Sequence, residues 1–197
     1  MPWLQGLIDI IKRQRKHASY FEWPQKDTKE LGVVKSLIES LEKAGCYPYF
    51  KPNSTKKDPP DCIAQDNTGN VVGIEVTELV DLKTVRDAQQ NKAYPKYWDR
   101  QEVLDRVQWI ISEKDQKNFY GGPYSKIILV IFTDEPFIDP DEVIPYLQQH
   151  EFAETNQIGE IYLLFSYDPR YHTCPYLKLK LADSIRVQET AQRPRRP

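Results

Sequence analysis

Residues 60–78 of the chain read PDCIAQDNTGNVVGIEVTE, and this stretch decides the fold prediction. Two short apolar segments are joined by a turn rich in Asp, Asn and Gly, which predicts a hairpin with strands over 62–65 and 71–79. Asp61 begins the first strand. Glu75 alternates with apolar neighbours in the second strand, so it lies on the opposite face from them. A tight hairpin can therefore bring both carboxylates to one end of a sheet, where hard divalent ions such as Mg²⁺ find oxygen ligands.

Helices and strands continue the pattern on both sides of the hairpin. Asp27 or Thr28 can cap the helix upstream, and Gly45 can end it. Further along, Asp139 followed by Pro140 is a typical helix start. In chain order the predicted elements are helix 28–44, strand 47–51, the hairpin, helix 97–118, strand 127–132, helix 141–150, strand 158–165 and an edge strand over 177–181. This order, αβββαβ followed by αββ, indicates one α/β domain around a mixed β-sheet.

The composition is that of an ordinary globular protein. Of 197 residues, 40% are hydrophobic and 28% charged, and the net charge is −2. No overall positive charge attracts nucleic acid, so any such binding must come from local basic patches. The three cysteines have no C-x-x-C spacing, which fits a reducing compartment and argues against a zinc site. No apolar stretch has membrane-spanning length or the order of a signal peptide, so we expect a cytoplasmic protein without a membrane partner.

The chain is predicted to have three parts. Residues 1–23 form an amphipathic helical arm, because apolar residues from Leu4 to Ile11 fall on one side and a basic end follows. Residues 24–188 form the α/β domain. Residues 189–197 are rich in Pro and Arg, which predicts a disordered basic tail.

Pro60-Asp61, the hairpin and then Glu75-Val76-Thr77 resemble the core motif of the PD-(D/E)xK nuclease superfamily. In that motif Glu-x-Lys stands on the strand that follows Pro-Asp, and here Thr77 stands at the position of the lysine. The αβββαβ order is also the core of that superfamily.

The resemblance covers roughly residues 27–133 and implies a restriction-endonuclease-like fold. It further implies a Mg²⁺ (or Mn²⁺) cofactor and hydrolysis of phosphodiester bonds in nucleic acid, with DNA the expected substrate. Asp61 and Glu75 would hold the ion, and the main-chain carbonyl of Val76 would be a further ligand by analogy with the superfamily.

Glu30 is the candidate third acidic ligand. When residues are placed at steps of about 100° along helix 28–44, Glu30 falls inside the apolar face that includes Val34 and Leu37. A carboxylate on a buried face needs a partner, since uncompensated burial of charge is costly. The resemblance implies that partner, because superfamily members often place an acidic residue of this helix at the metal. The alternative is a glutamate in the first helical turn that is favoured by the helix dipole and exposed to water.

Lys114 is the candidate replacement for the missing lysine. In helix 97–118 it points with the apolar residues of 103–111, and Lys117 lies at the edge of that face. The resemblance favours a role at the carboxylates, because some families in the superfamily take the catalytic lysine from a neighbouring helix. The alternative is a lysine that extends its ammonium group past the rim of the core into water. Lys56 and Lys57, in the loop before the hairpin, are with Lys117 the candidate contacts to nucleic-acid phosphates.

Three interpretations follow from these residues. The preferred one is a metal-dependent nuclease. The second is a catalytically inactive module on the same fold that binds nucleic acid or protein; Thr77 favours it, and so would Lys114 and Lys117 lying far from Glu75. The third is an unrelated α/β protein, in which Asp61 and Glu75 would lie on different faces of the sheet.

Overall fold

A computed structural model describes residues 26–56, 59–81, 83 and 96–182 of the chain. Over this part, the protein is a mixed α/β structure with a six-stranded mixed sheet, a two-stranded sheet and three helices. The predicted arm (1–23) and tail (189–197) lie outside the described residues. The helices are α1 (Lys26–Lys43), α2 (Arg100–Asp115) and α3 (Pro140–Leu147). The strands are β1 (Tyr49–Ser54), β2 (Cys62–Asp66), β3 (Val71–Glu78), β4 (Ile127–Thr133), β5 (Glu151–Phe152), β6 (Ile158–Phe165), β7 (Tyr176–Lys178) and β8 (Lys180–Leu181).

The six-stranded sheet has the order β1-β2-β3-β4-β6-β7. The first three strands form an antiparallel meander, β3, β4 and β6 are parallel, and β7 pairs antiparallel with β6. The β2–β3 turn closes on the carboxylate of Asp66, which accepts the N–H groups of Thr68 and Asn70 at 2.9 Å, while Gly69 takes a φ of 84°. The segment between β3 and β4 contains α2, because parallel neighbours need a long connection.

Hydrophobic cores cover both faces of this sheet. β4 is buried along its whole length and contributes alternate residues to the two cores, as a strand between two layers must. Ile128 belongs to a core shared with α1, and Leu129 to a core shared with α2. We call these sides the α1 face and the α2 face. On β3, Ile74 belongs to the α1 face, whereas Glu75 has Leu129 as its register partner and lies on the α2 face.

The starts of the two long helices differ from the sequence prediction. The chain is already helical at Lys26, so Asp27 and Thr28 lie inside α1 and the predicted cap there is wrong. The second helix begins after Asp99, whose carboxylate accepts the N–H of Glu102 at 2.8 Å in a capping box. Hydrophobic periodicity does not detect such a start, because a cap is set by side-chain hydrogen bonds.

Two other helix boundaries agree with the prediction. Gly45 follows α1 with a φ of 77°, the left-handed conformation that favours glycine after a helix. Asp139 caps α3 by accepting the N–H of Asp141 at 2.8 Å, and Pro140 occupies the first turn.

The predicted edge strand over 177–181 is divided between two sheets, and only its first part, β7, lies at the edge of the six-stranded sheet. β7 pairs with β6, whereas β8 pairs in parallel with β5, a strand that the sequence pattern did not predict. The apolar alternation persists because Leu177 and Leu179 are both buried, although the chain changes partner after Leu179. A period of two indicates which side chains are buried but not the strand with which they pair.

Candidate active site

Hydrogen bonds from the preceding loop and from β3 fix the position of Asp61. Thr55 donates its N–H to the carbonyl of Asp61 at 2.9 Å and its hydroxyl to the carbonyl of Pro60 at 2.6 Å. The Asp61 side chain is buried, and its Oδ2 accepts the N–H of Val76 on β3 at 2.8 Å. The register of the hairpin, extended by one residue, places Asp61 opposite Glu75. The two predicted acidic residues therefore occupy neighbouring positions on adjacent strands.

Glu75 is buried and accepts two lysine ammonium groups on a single oxygen. Its side chain is 1% exposed, and its Oε1 lies 2.6 Å from Nζ of Lys114 and 2.8 Å from Nζ of Lys117. The other oxygen, Oε2, is buried and has no hydrogen-bond partner among the described residues. An unsatisfied buried acceptor costs free energy of folding. Glu75 is thus held by its lysines on one side and unsatisfied on the other.

The two ammonium groups repel each other across the shared oxygen. Like charges that share one oxygen atom repel, and the repulsion is stronger beside a buried carboxylate than in water because the effective dielectric constant is lower there. Burial lowers the pKa of Lys117, but the hydrogen bond to Glu75 and the charges of Glu75 and Asp61 outweigh burial, so the pKa is raised above its ordinary value. Lys117 is therefore cationic at neutral pH, and both carboxylates act on its ammonium group.

The end of α2, which carries Lys114 and leads directly into Lys117, is hydrogen-bonded to the segment that enters β6. Asp115 accepts the main-chain N–H groups of Asn156, Gln157 and Ile158 at 2.7, 2.9 and 3.1 Å. The side-chain amide of Gln157 donates in return to the carbonyls of Asp115 at 2.7 Å and Lys117 at 2.8 Å. These bonds fix the backbone from which the two lysines extend, and the sequence analysis did not predict them.

The loop after α2 contacts the segment before Asp61. Tyr120 donates its N–H to the carbonyl of Pro59 at 2.8 Å. On β3, a Cβ built on Gly73 would lie 3.1 Å from Cγ of Pro60, closer than such contacts normally are. A glycine inside a strand pattern often marks such an approach, which is the one sequence signal that could have identified this contact. Gly73 therefore leaves room for the turn that presents Asp61.

The structure brings together four of the predicted site residues. Asp61, Glu75, Lys114 and Lys117 form one cluster, in which both lysines pair with Glu75. In the structure the ammonium group of Lys117 contacts Glu75. The contact of Lys117 with nucleic acid stays a prediction. Val76 enters the cluster through its N–H group.

Three other predicted residues lie elsewhere or outside the described part. Glu30 is buried on α1, which packs on the opposite face of the sheet from α2. Within residues 26–56, 59–81, 83 and 96–182, no group of three or more His, Cys, Asp or Glu side chains could hold a metal ion, so Glu30 stays a predicted ligand only. Lys56 is exposed in the loop between β1 and β2, and Lys57 lies outside the described residues.

A second charged cluster surrounds Glu160 on the α1 face. Its carboxylate accepts the hydroxyls of Tyr49 at 2.5 Å and Tyr162 at 2.9 Å, and pairs with Lys126 at 2.5 Å and Lys178 at 3.2 Å. Burial raises the pKa of Glu160, but the donated hydrogen bonds outweigh burial and lower it to about 2. Both oxygens of this carboxylate have donors, so the cluster is a structural network that joins several strands.

Comparisons of the chain with models of known protein families, with curated proteins and with solved structures find no match. None of the helices in the described ranges is both long and apolar enough to cross a membrane. The function is therefore inferred from the geometry of the site.

Proposed function

We propose that this protein is a metal-dependent nuclease that hydrolyses phosphodiester bonds in nucleic acid, with DNA as the expected substrate. One observation carries the proposal: a buried glutamate, Glu75, shares one oxygen with Lys114 and Lys117 beside a second buried carboxylate, Asp61. Lys114 comes from α2, and its contact with Glu75 supports a displaced lysine that compensates for Thr77.

The order of elements supports a restriction-endonuclease-like core. The described chain runs α1-β1-β2-β3-α2-β4, which is the αβββαβ order of the PD-(D/E)xK superfamily. Asp61 directly precedes β2, and Glu75 lies on β3, its antiparallel neighbour. The connection between the parallel strands β3 and β4 contains α2 and supplies both lysines. Strands β6 and β7 then extend the sheet beyond this core.

The site fits a hard divalent cation. Asp61 and Glu75 supply carboxylate oxygens, which Mg²⁺ and Mn²⁺ prefer, and Oε2 of Glu75 is a buried acceptor with no hydrogen-bond donor in the described residues. In the proposal Asp61, Glu75 and the carbonyl of Val76 hold the ion, and Glu30, which is buried on the other face of the sheet, takes no part. A bound Mg²⁺ or Mn²⁺ would lower the pKa of a coordinated water and neutralise charge that develops on the phosphate.

The residues of the chain then have separate tasks. Asp61 is locked by the N–H of Val76, so its carboxylate keeps one orientation. Lys114 donates to Glu75 and is placed to stabilise negative charge on a phosphate oxygen. Lys117 has a raised pKa and stays protonated, so it acts as a cation and not as a general base. Lys56 and Lys57 are proposed to contact the nucleic-acid backbone outside the site.

A catalytically inactive module that binds nucleic acid or protein on the same fold is the second candidate. Thr77 favours it, because a nuclease fold that loses its motif lysine can lose activity. The ion pairs of Lys114 and Lys117 with Glu75 count against it, since a pure binding module has no need of them.

The test is cleavage of end-labelled single- and double-stranded DNA and RNA by the full chain in Mg²⁺ or Mn²⁺. Wild type is expected to cleave DNA, and Glu75→Gln and Lys114→Met to be slower by about 10²- to 10³-fold, as when one charge-stabilising group is lost. The controls are Glu113→Gln and Lys180→Met, which make the same chemical changes at exposed positions. Binding of nucleic acid by wild type without cleavage under any of these conditions would establish the inactive module instead.

A further inference from the structure

We infer that this site binds a divalent cation and a phosphodiester group cooperatively. Lys117 couples the two ligands, because its ammonium group leaves Glu75 and pairs with the phosphate instead. The inference rests on the proposed function and assigns to Lys117 a role different from that of Lys114.

The first observation is the uneven use of the Glu75 carboxylate. Oε1 accepts both ammonium groups, at 2.6 and 2.8 Å, while Oε2 is buried and accepts no hydrogen bond from a described residue. A carboxylate offers about four acceptor positions on two oxygens, so two donors crowded on one oxygen leave half of its capacity unused. One of the two lysines can therefore leave Glu75 without removing the last donor from its buried charge.

The second observation is that the two lysine side chains differ in exposure, so that Lys117 can move away from Glu75 more easily than Lys114 can. Lys114 lies in the last turn of α2 and its side chain is 18% exposed, whereas Lys117 lies past the end of the helix with a side chain that is 39% exposed. The backbone of Lys117 is nevertheless held, because its carbonyl accepts from Gln157 and its N–H donates to the carbonyl of Lys114 at 3.2 Å. Lys117 thus combines a fixed backbone with an ammonium group that can reach an incoming ligand.

The third observation is the charge of the cluster. Asp61 and Glu75 carry two negative charges, and Lys114 and Lys117 carry two positive charges, so the cluster as it stands is neutral. A divalent cation added to this cluster meets repulsion from both ammonium groups. A phosphodiester brings one negative charge and gives Lys117 a new partner, which removes one of the two ammonium groups that repel the cation at Glu75.

Each ligand therefore lowers the free-energy cost of binding the other. Thermodynamic linkage requires the effect to be reciprocal, so the phosphodiester strengthens cation binding by the same factor as the cation strengthens phosphodiester binding. Lys114 stays with Glu75 in both states and compensates for its buried charge.

The experiment is calorimetric titration of the full chain with MnCl₂, with and without dimethyl phosphate, the smallest phosphodiester anion. Neutral trimethyl phosphate at matched ionic strength is the ligand control. In wild type we expect dimethyl phosphate to lower the Kd for Mn²⁺ by about fivefold or more, within the usual range of coupling between sites. Lys117→Met should bind Mn²⁺ alone more tightly than wild type does, because a competing ammonium group is gone, and should show no effect of dimethyl phosphate.

Lys180→Met, which removes an exposed lysine, separates this role from a general effect of lost charge and should retain the effect of dimethyl phosphate. Thermal denaturation of each variant verifies folding. The inference is overturned if wild type binds Mn²⁺ with a Kd that dimethyl phosphate leaves unchanged, or if Lys117→Met keeps the wild-type coupling. A wild-type chain that binds no Mn²⁺ under either condition overturns the proposed function as well, which distinguishes the two failures.

Discussion

Replacement of Asp115 by alanine should destabilise the fold strongly, although Asp115 makes no contact with the proposed substrate. The substitution removes the acceptor for three main-chain N–H groups, which lie 2.7, 2.9 and 3.1 Å from the carboxylate. The N–H of Ile158 is buried, and leaving it unpaired costs about 1–3 kcal/mol. The N–H groups of Asn156 and Gln157 belong to exposed residues and can turn to water, so each of those lost bonds costs about 0.5–1.5 kcal/mol. The total lies between about 2 and 6 kcal/mol, with a middle value of about 4 kcal/mol.

Urea denaturation measures this loss directly. For a domain of this size, about 4 kcal/mol corresponds to a fall in Tm of roughly 8–16 °C. Asp105→Ala is the matched control, because Asp105 lies exposed on the same helix and its carboxylate accepts only from the side chain of Gln101 in the described structure. We expect Asp105→Ala to change stability by less than about 0.5 kcal/mol. Equal losses in the two variants would refute the claim that Asp115 fastens the end of α2.

Two further predictions concern the sheet. Gly73→Ala should cost about 1–3 kcal/mol through overpacking, because its Cβ would lie 2.7 Å from Cδ1 of Ile127. In the same urea assay, Gly159→Ala, whose Cβ meets its nearest atom at 3.4 Å, should be neutral or stabilising, and a reversed order would contradict the crowding at Gly73. Tyr49→Phe should raise the pKa of Glu160 above its value of about 2, measured by carbon NMR of the carboxyl group, since one donor to the ionised form is lost. Because the folded pKa of Glu160 is below its unfolded value of about 4.3, Glu160 stabilises the fold above that pH and the stabilisation is lost as the pH falls towards 2. The loss should be smaller in Tyr49→Phe, and an unchanged titration would contradict the role of the hydroxyl.

The parts of the fold that the sequence predicted have strong local patterns. The hairpin of β2 and β3 follows from the turn at Asp66, and strand β4 covers the predicted residues 127–132 because a continuous apolar run leaves little choice. Helix periodicity placed Lys114 on the inward face of α2, and in the structure its ammonium group meets Glu75. A charged residue that lies within an apolar helix face is informative, because burial of its charge requires a partner.

The parts that the sequence did not predict depend on contacts between distant segments. Asp115 accepts hydrogen bonds from residues about forty positions further along the chain, and a periodicity argument confined to one helix does not detect them. Lys117 lies beyond the last turn of α2, where helical geometry no longer applies, so its contact with Glu75 depends on the path of the following loop. The pairing of β8 with β5 likewise depends on chain connectivity and not on local preference.

The central claim is that Asp61 and Glu75 form a divalent-cation site, and Mn²⁺ binding tests it most directly. Electron paramagnetic resonance counts free Mn²⁺ in a titration of wild type, Glu75→Gln and the control Glu113→Gln. The account predicts one Mn²⁺ for each wild-type or Glu113→Gln chain. For Glu75→Gln we expect an affinity lower by more than about 100-fold, since loss of a ligand should exceed the about 10- to 100-fold typical of outer partners. Wild-type affinity in Glu75→Gln, or no bound Mn²⁺ in wild type at millimolar ion, would contradict the claim.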